Sequence, residues 1–202
     1  MRLGLVADLH GNTDALHIAL ERLDGRVDEV LMAGDALNQY RFEDEIIETI
    51  RARGILYITG NHERAMLDNA VLAGRLPADS QGNWDFLTRV PDRVLLEIDG
   101  RELLMVHGSP WPPHDDYLYE NDNKLQRVPE LDVDFLVLGH THVAMAMTIG
   151  STLVVNPGSV GDARGAGNHG VLSYAILDTE TCSVTFETFD DPTLPLRAGV
   201  PR

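Results

Sequence analysis

Five short blocks of the chain combine histidine, carboxylate or carboxamide with a neighbouring glycine or helix start. They are Asp8-Leu9-His10, Gly34-Asp35, Gly60-Asn61-His62-Glu63, His107-Gly108 and Gly139-His140-Thr141-His142. Two carboxylates, one amide oxygen and at least four imidazoles form a mixed oxygen and nitrogen donor set. Such a set suits manganese, iron, zinc, nickel or cobalt better than magnesium or calcium. Seven donors (Asp8, His10, Asp35, Asn61, His107, His140 and His142) are too many for one tetrahedral zinc. They suit two ions about 3.5–4 Å apart that share a bridging carboxylate. His140 and His142 lie two apart, so an extended segment points both to one side. A single such histidine is more often a packed or surface residue. Here five of the eight histidines fall in these blocks, and the joint pattern carries the reading. His17, on the polar face of a helix, and the loop residues His114 and His169 are expected to have no role.

Each block closes an apolar run. Residues 2–7 read as a buried strand, and a helix capped by Asn12 or Thr13 follows to about Asp24, with Ala15, Leu16, Ala19, Leu20 and Leu23 on one face. Strands at 29–33 and 55–59 alternate with helices at about 42–53 and 63–72. This order argues for parallel strands with covering helices. Later, Asp99-Gly100-Arg101 and Gly150-Ser151 separate strand pairs, 135–138 is another buried strand, and 171–178 with 183–189 form a last pair. Two stacked sheets with helices outside fit that order. In open α/β sheets ligands bind beyond the carboxyl ends of strands, so the five blocks can converge there.

The length of 202 residues predicts a single domain over 1–202. Residues 108–130 form an irregular, Pro- and aromatic-rich insertion holding Trp111, Tyr117 and Tyr119. Packing on its own domain is the first expectation for it, with substrate contact and a homo-oligomer contact as alternatives. A net charge of −16 argues against electrostatic capture of bulk nucleic acid or an anionic membrane. Bound cations can still reverse the local sign for a small anionic substrate. Cys182 is the sole cysteine, which excludes an intrachain disulfide and a cysteine-based metal site. With no signal-like or membrane-spanning apolar run, a cytoplasmic protein is expected.

The blocks, in this order, resemble the calcineurin-like metallophosphoesterase superfamily. The tail Asn156-Pro157-Gly158-Ser159 resembles its small bacterial and archaeal phosphodiesterase branch. The resemblance implies a four-layer α/β/β/α sandwich of two mixed β-sheets flanked by helices. It implies that Asp8, His10 and His142 hold one divalent ion, that Asn61, His107 and His140 hold the other, and that Asp35 bridges them. Manganese is favoured over iron, zinc, nickel or cobalt. It further implies attack on a small-molecule phosphate ester by a metal-bridging hydroxide, with His62 as general acid. The serine/threonine phosphatases of the superfamily carry an Asp and an Arg soon after the Gly-Asp block. Here the block reads Gly34-Asp35-Ala36-Leu37-Asn38, which argues against protein phosphatase activity and leaves Asn38 to orient His62. A phosphodiester is the expected substrate. A phosphomonoester, or a non-catalytic metal-binding interaction scaffold, is the alternative.

Overall fold

A computed structural model gives the architecture; it describes residues 1–69, 74, 76–164 and 170–195. His169 and the expected helix end at 70–72 lie outside the described residues. In chain order the first half holds β1 (Arg2–Val6), α1 (Thr13–Leu23), β2 (Glu29–Met32), α2 (Asp44–Ala52), β3 (Leu56–Tyr57), α3 (Asn61–Leu67) and α4 (Gln81–Leu87). The second half holds β4 (Arg93–Ile98), β5 (Arg101–Val106), a 3-10 helix (Asn123–Leu131), β6 (Phe135–Val137), β7 (Met145–Ile149), β8 (Thr152–Asn156), β9 (Val171–Asp178) and β10 (Ser183–Asp190).

The strands form two mixed five-stranded sheets, ordered β10-β9-β1-β2-β3 and β4-β5-β6-β8-β7. β1, β2 and β3 run parallel, as do β5, β6 and β8. Antiparallel β9, β10, β4 and β7 complete the edges. The sheets stack because their central strands are apolar on both faces. Leu3, Leu5 and Ala7 of the first sheet's side and Phe135 and Val137 of the second share the inter-sheet core. Val6, between them in register, faces the helices with Leu16, Leu20 and Ile47. Leu136 and Leu138 face outward, against Trp111, Leu125 and Val128. The fourth layer is therefore built from the 3-10 helix and the 108–122 segment. Each large side chain so buried contributes about 1.5–3 kcal/mol.

The local signals act as expected in α1. Asn12 caps it by accepting the Ala15 N–H at 3.1 Å, and the five expected residues are its buried face. Elsewhere element bounds shift, and three departures stand out. In the first hairpin Asp99 and Gly100 alone make the turn, both at positive φ (53° and 73°), and Arg101 joins β5. The third helix begins at Asn61, two residues earlier than expected, so Asn61 and His62 stand in its first turn. No element is expected over 73–92, yet α4 forms there. Its Gln-Gly-Asn start is a poor helix former. Tertiary contacts hold it: Trp84 packs on Phe42, and Asn83 accepts from Arg51 at 2.7 Å.

Candidate metal centre

The five blocks meet at one end of the two sheets, in the loops after β1, β2, β3, β5 and β6. Beyond its last paired residue the β1 loop still follows the β2 loop, with Asp8 N–H donating to the Gly34 carbonyl (3.1 Å) and His10 N–H to that of Asp35 (2.9 Å). Gly139 N–H donates to the His107 carbonyl at 2.8 Å and ties the β6 loop to β5. Asp8, His10, Asp35, His140 and His142 all have φ between 50° and 69°. Non-glycine residues seldom occupy that region, and they cluster at functional sites. The glycines permit close approach: a Cβ on Gly60 would lie 2.1 Å from Asp35 Oδ1.

The side chains form three overlapping groups, each with its donor atoms within 4.8 Å: Asp8, His10 and His142; His10, Asp35 and His62; Asp35, His107 and His140. Asp35 belongs to two of them, and its Oδ2 lies 3.1 Å from His107 Nε2 and 3.9 Å from His10 Nε2. His10 Nε2 and His142 Nε2 are 3.0 Å apart, with Asp8 Oδ1 3.4 Å from the latter. Asn61 Oδ1 is 3.1 Å from His107 Nε2. All seven expected donors and His62 are thus brought together.

Three rings are oriented by backbone carbonyls that the sequence does not reveal. His107 Nδ1 faces the Ala33 carbonyl at 2.7 Å, His142 Nδ1 that of Asp162 at 2.6 Å, and His140 Nε2 that of Asp115 at 3.1 Å. A nitrogen facing a carbonyl must carry the proton, so whenever the ring is neutral the other nitrogen is the one left to ligate. Metal-ligating histidines are arranged in this way.

Electrostatics separate His107 from the other rings. Burial holds His10, His140 and His142 down to about 4, so they are neutral at pH 7. Burial pushes Asp8 well above its usual range. Burial also opposes ionisation of Asp35, but the charge and hydrogen bond of His107, with His10, outweigh it and hold Asp35 low. Burial works against protonation of His107; Asp35 and Asp8 prevail and raise it to about 9. Among the described residues, the ion-pair partners of Asp8 and Asp35 are all histidines. Two buried carboxylates clustered with three neutral imidazoles, and with a fourth that would give up its proton to an incoming cation, are a donor set that fits divalent cations.

A second ring of residues holds these loops. Glu63 is fully buried, and its carboxylate accepts N–H bonds from Asp35 (3.0 Å), Gly60 (2.7 Å) and Leu37 (2.7 Å). Burial, then the Asp35 charge, raises it to about 7. Its role went unread in the sequence, although the Gly60–Glu63 interval is that of a capping box. The 156–159 tail is a brace: Asn156 Nδ2 donates to the Gly139 carbonyl (2.6 Å), and Ser159 Oγ to that of Asp8 (2.7 Å).

Of the residues around the centre, Asn38 departs from its expected role and the others stay out of the donor set. Asn38 does not orient His62, because its Oδ1 accepts the Tyr40 N–H at 3.1 Å. The Gln39 N–H instead faces His62 Nδ1 at 3.4 Å. Asn12 Nδ2 is committed to Asp191 (3.1 Å), and Arg164 pairs with Asp162 at 3.1 Å. His17 is exposed beside Glu45, and His114 lies against Arg93 and the Ser109 carbonyl. Trp111 is buried under Arg127, so it packs on its own fold and offers no face to a substrate.

Comparison with known proteins accords with this geometry. The sequence profile described as the calcineurin-like phosphoesterase superfamily domain matches residues 1–182. The chain is 26% identical over 190 residues to the probable metallophosphoesterase YsnB of Bacillus subtilis (strain 168), covering 94% of this chain and 91% of that protein. The crystal structure of a metallophosphoesterase from Sphaerobacter thermophilus superposes with a TM-score of 0.75 at 26% identity, covering 95% of this chain and 89% of that one. A structure described as a novel archaeal phosphodiesterase superposes at 0.63 and 20% identity, covering 94% and 100%. The chain belongs to the calcineurin-like phosphoesterase superfamily, whose chemistry is metal-dependent hydrolysis of phosphoesters.

Proposed function

We propose that this protein hydrolyses a phosphodiester in a small molecule or nucleotide. The observation that carries the reading is the shared position of Asp35 between two donor groups, with His62 open beside it. Asp8, His10 and His142 would hold one divalent ion; Asn61, His107 and His140 the other; Asp35 both. Manganese is the favoured ion. Such ions supply Lewis-acid charge that neutralises non-bridging phosphate oxygens and acidifies water.

The chain's own residues do the rest. His62 Nδ1 faces the Gln39 N–H, which leaves Nε2, 4.0 Å from Asp35 Oδ2, as the nitrogen on the side of the metal donors. As an imidazolium His62 would donate its Nε2 proton to the departing alkoxide and be left a neutral ring whose Nδ1 accepts the Gln39 N–H. Asp35 Oδ1 accepts the His62 backbone N–H at 2.9 Å and so couples the position of the acid to the metal donors. The preference for a diester rests on charge. A diester carries one anionic charge where a monoester carries two, and the nearby Arg164 and Arg64 are engaged with Asp162 and Asp115. The archaeal structural relative described as a phosphodiesterase supports the same reading.

The test is hydrolysis by manganese-loaded protein of bis(p-nitrophenyl) phosphate against p-nitrophenyl phosphate, with His62→Asn in parallel. The diester should be preferred. His62→Asn should keep its metal yet lose about 10²–10⁴ in turnover, and less for more acidic leaving groups. A monoester preference overturns the substrate reading, and an equal loss on every leaving group overturns the acid role.

A further inference from the structure

The 108–122 segment buries Trp111 and Leu118 but holds two other aromatics out. Tyr117 stacks on the His140 ring with centroids 3.9 Å apart and planes 21° apart. Tyr119 continues outward, parallel to Tyr117 within 9° at 6.3 Å. The two remain 45% and 48% exposed, whereas Trp111 is 8% exposed. What sets them apart from other exposed apolar side chains is their place, stacked outward from the candidate metal donor His140.

The backbone that carries them is pinned. The Asp115 carbonyl accepts from His140 Nε2 at 3.1 Å, the Asp115 carboxylate pairs with Arg64, Asp116 pairs with Lys124 at 2.7 Å, and Leu118 anchors the far side. Two consequences follow. The exposed rings are positioned before any ligand arrives, which removes part of the ordering cost of binding. The two acids next to Tyr117 are paired with cations, so they repel an incoming phosphate less.

We propose that Tyr117 and Tyr119 are specificity-determining residues that stack on a planar aromatic group carried by the ester, a nucleobase or an aryl ring, whose phosphate lies at the candidate metal centre. This rests on the phosphoesterase reading above. Stacking of one base on one aromatic side chain is worth about a 5- to 150-fold change in affinity and tolerates different bases.

The test is calorimetric titration of manganese-loaded protein with adenosine 5′-monophosphate against ribose 5-phosphate, and with phenyl phosphate against methyl phosphate. Wild type should favour the aromatic member of a pair. Tyr119→Ala is the deciding variant, since Tyr117 alone of the two covers His140; it should cut the ratio by about 5- to 150-fold with metal content kept. Tyr117→Ala should act in the same direction, and Tyr117→Phe should restore it. A Tyr-dependent ratio in both pairs assigns aryl recognition at large, and in the nucleotide pair alone a nucleobase. A wild-type ratio near one in both pairs, or ratios indifferent to both alanine variants, overturns the proposal. If wild type hydrolyses bis(p-nitrophenyl) phosphate while showing such ratios, only this inference fails. If it neither hydrolyses an ester nor binds any of the four phosphates, the phosphoesterase reading fails as well.

Discussion

Gly161→Ala tests how closely the tail after β8 moulds the metal-binding loop after β1. A Cβ on Gly161 would lie 1.7 Å from the Leu9 carbonyl oxygen and 2.4 Å from its carbon. Ordinary heavy-atom contact is about 3.5 Å, so the two backbones would have to part by roughly 1.5–2 Å. Leu9 sits between Asp8 and His10, which hold φ of 55° and 50° and are tied to the β2 loop by backbone hydrogen bonds. The displacement therefore passes into both donors. Overpacking a core side chain costs about 1–3 kcal/mol, and backbone against backbone should reach about 3 kcal/mol or more. For a chain of this size that corresponds to a fall in Tm of roughly 6–12 °C. Misplacing a site by about 1 Å can cost about 10² in turnover. Gly82→Ala is the matched control: it lies in α4 with nothing within 4 Å of its would-be Cβ, so the same change should stabilise by about 0.5–1 kcal/mol. Urea unfolding and elemental analysis of both variants provide the readout. A Gly161→Ala protein that unfolds at the wild-type midpoint with its full metal content would refute the reasoning.

Wild type should bind about two divalent ions per chain, and Asp35→Asn should empty or scramble both sites while His10→Ala mainly weakens one; two full ions in Asp35→Asn by elemental analysis would sink the bridging assignment. Trp111→Ala should destabilise by about 3–5 kcal/mol in urea, because the ring is core, and should leave the preference between aromatic and alkyl esters in place. The hydrogen bond from Arg26, then that from Tyr174, lowers Glu187 from 4.5 to about 2. Its stabilisation is therefore complete above pH 4.5 and lost as pH falls through 2. Glu187→Gln should cost about 1 kcal/mol at pH 7, discounted for solvent screening, with a gap that narrows below pH 4.5 in pH-dependent unfolding curves.

The periodicity of short apolar runs, each stopped by glycine and a polar donor, was enough to read the alternating first half, the two stacked sheets and the eight residues gathered at their end. Those signals are local, since donor type, glycine neighbours and strand ends all lie within a few residues of one another. What stayed hidden is set by residues far apart in the chain. The helix α4 exists because Trp84 finds Phe42 and Asn83 finds Arg51, not because its own residues favour a helix. The carbonyls of Ala33, Asp115 and Asp162, which choose the protonated nitrogen of three histidines, have no side-chain signature, since every residue carries a carbonyl. In the 108–122 segment the sequence presents three aromatics of equal standing. Tertiary packing separates them: it turns Trp111 inward under Arg127 and leaves Tyr117 lying on His140, because the direction of a side chain in an irregular segment is set by what the rest of the fold places against it.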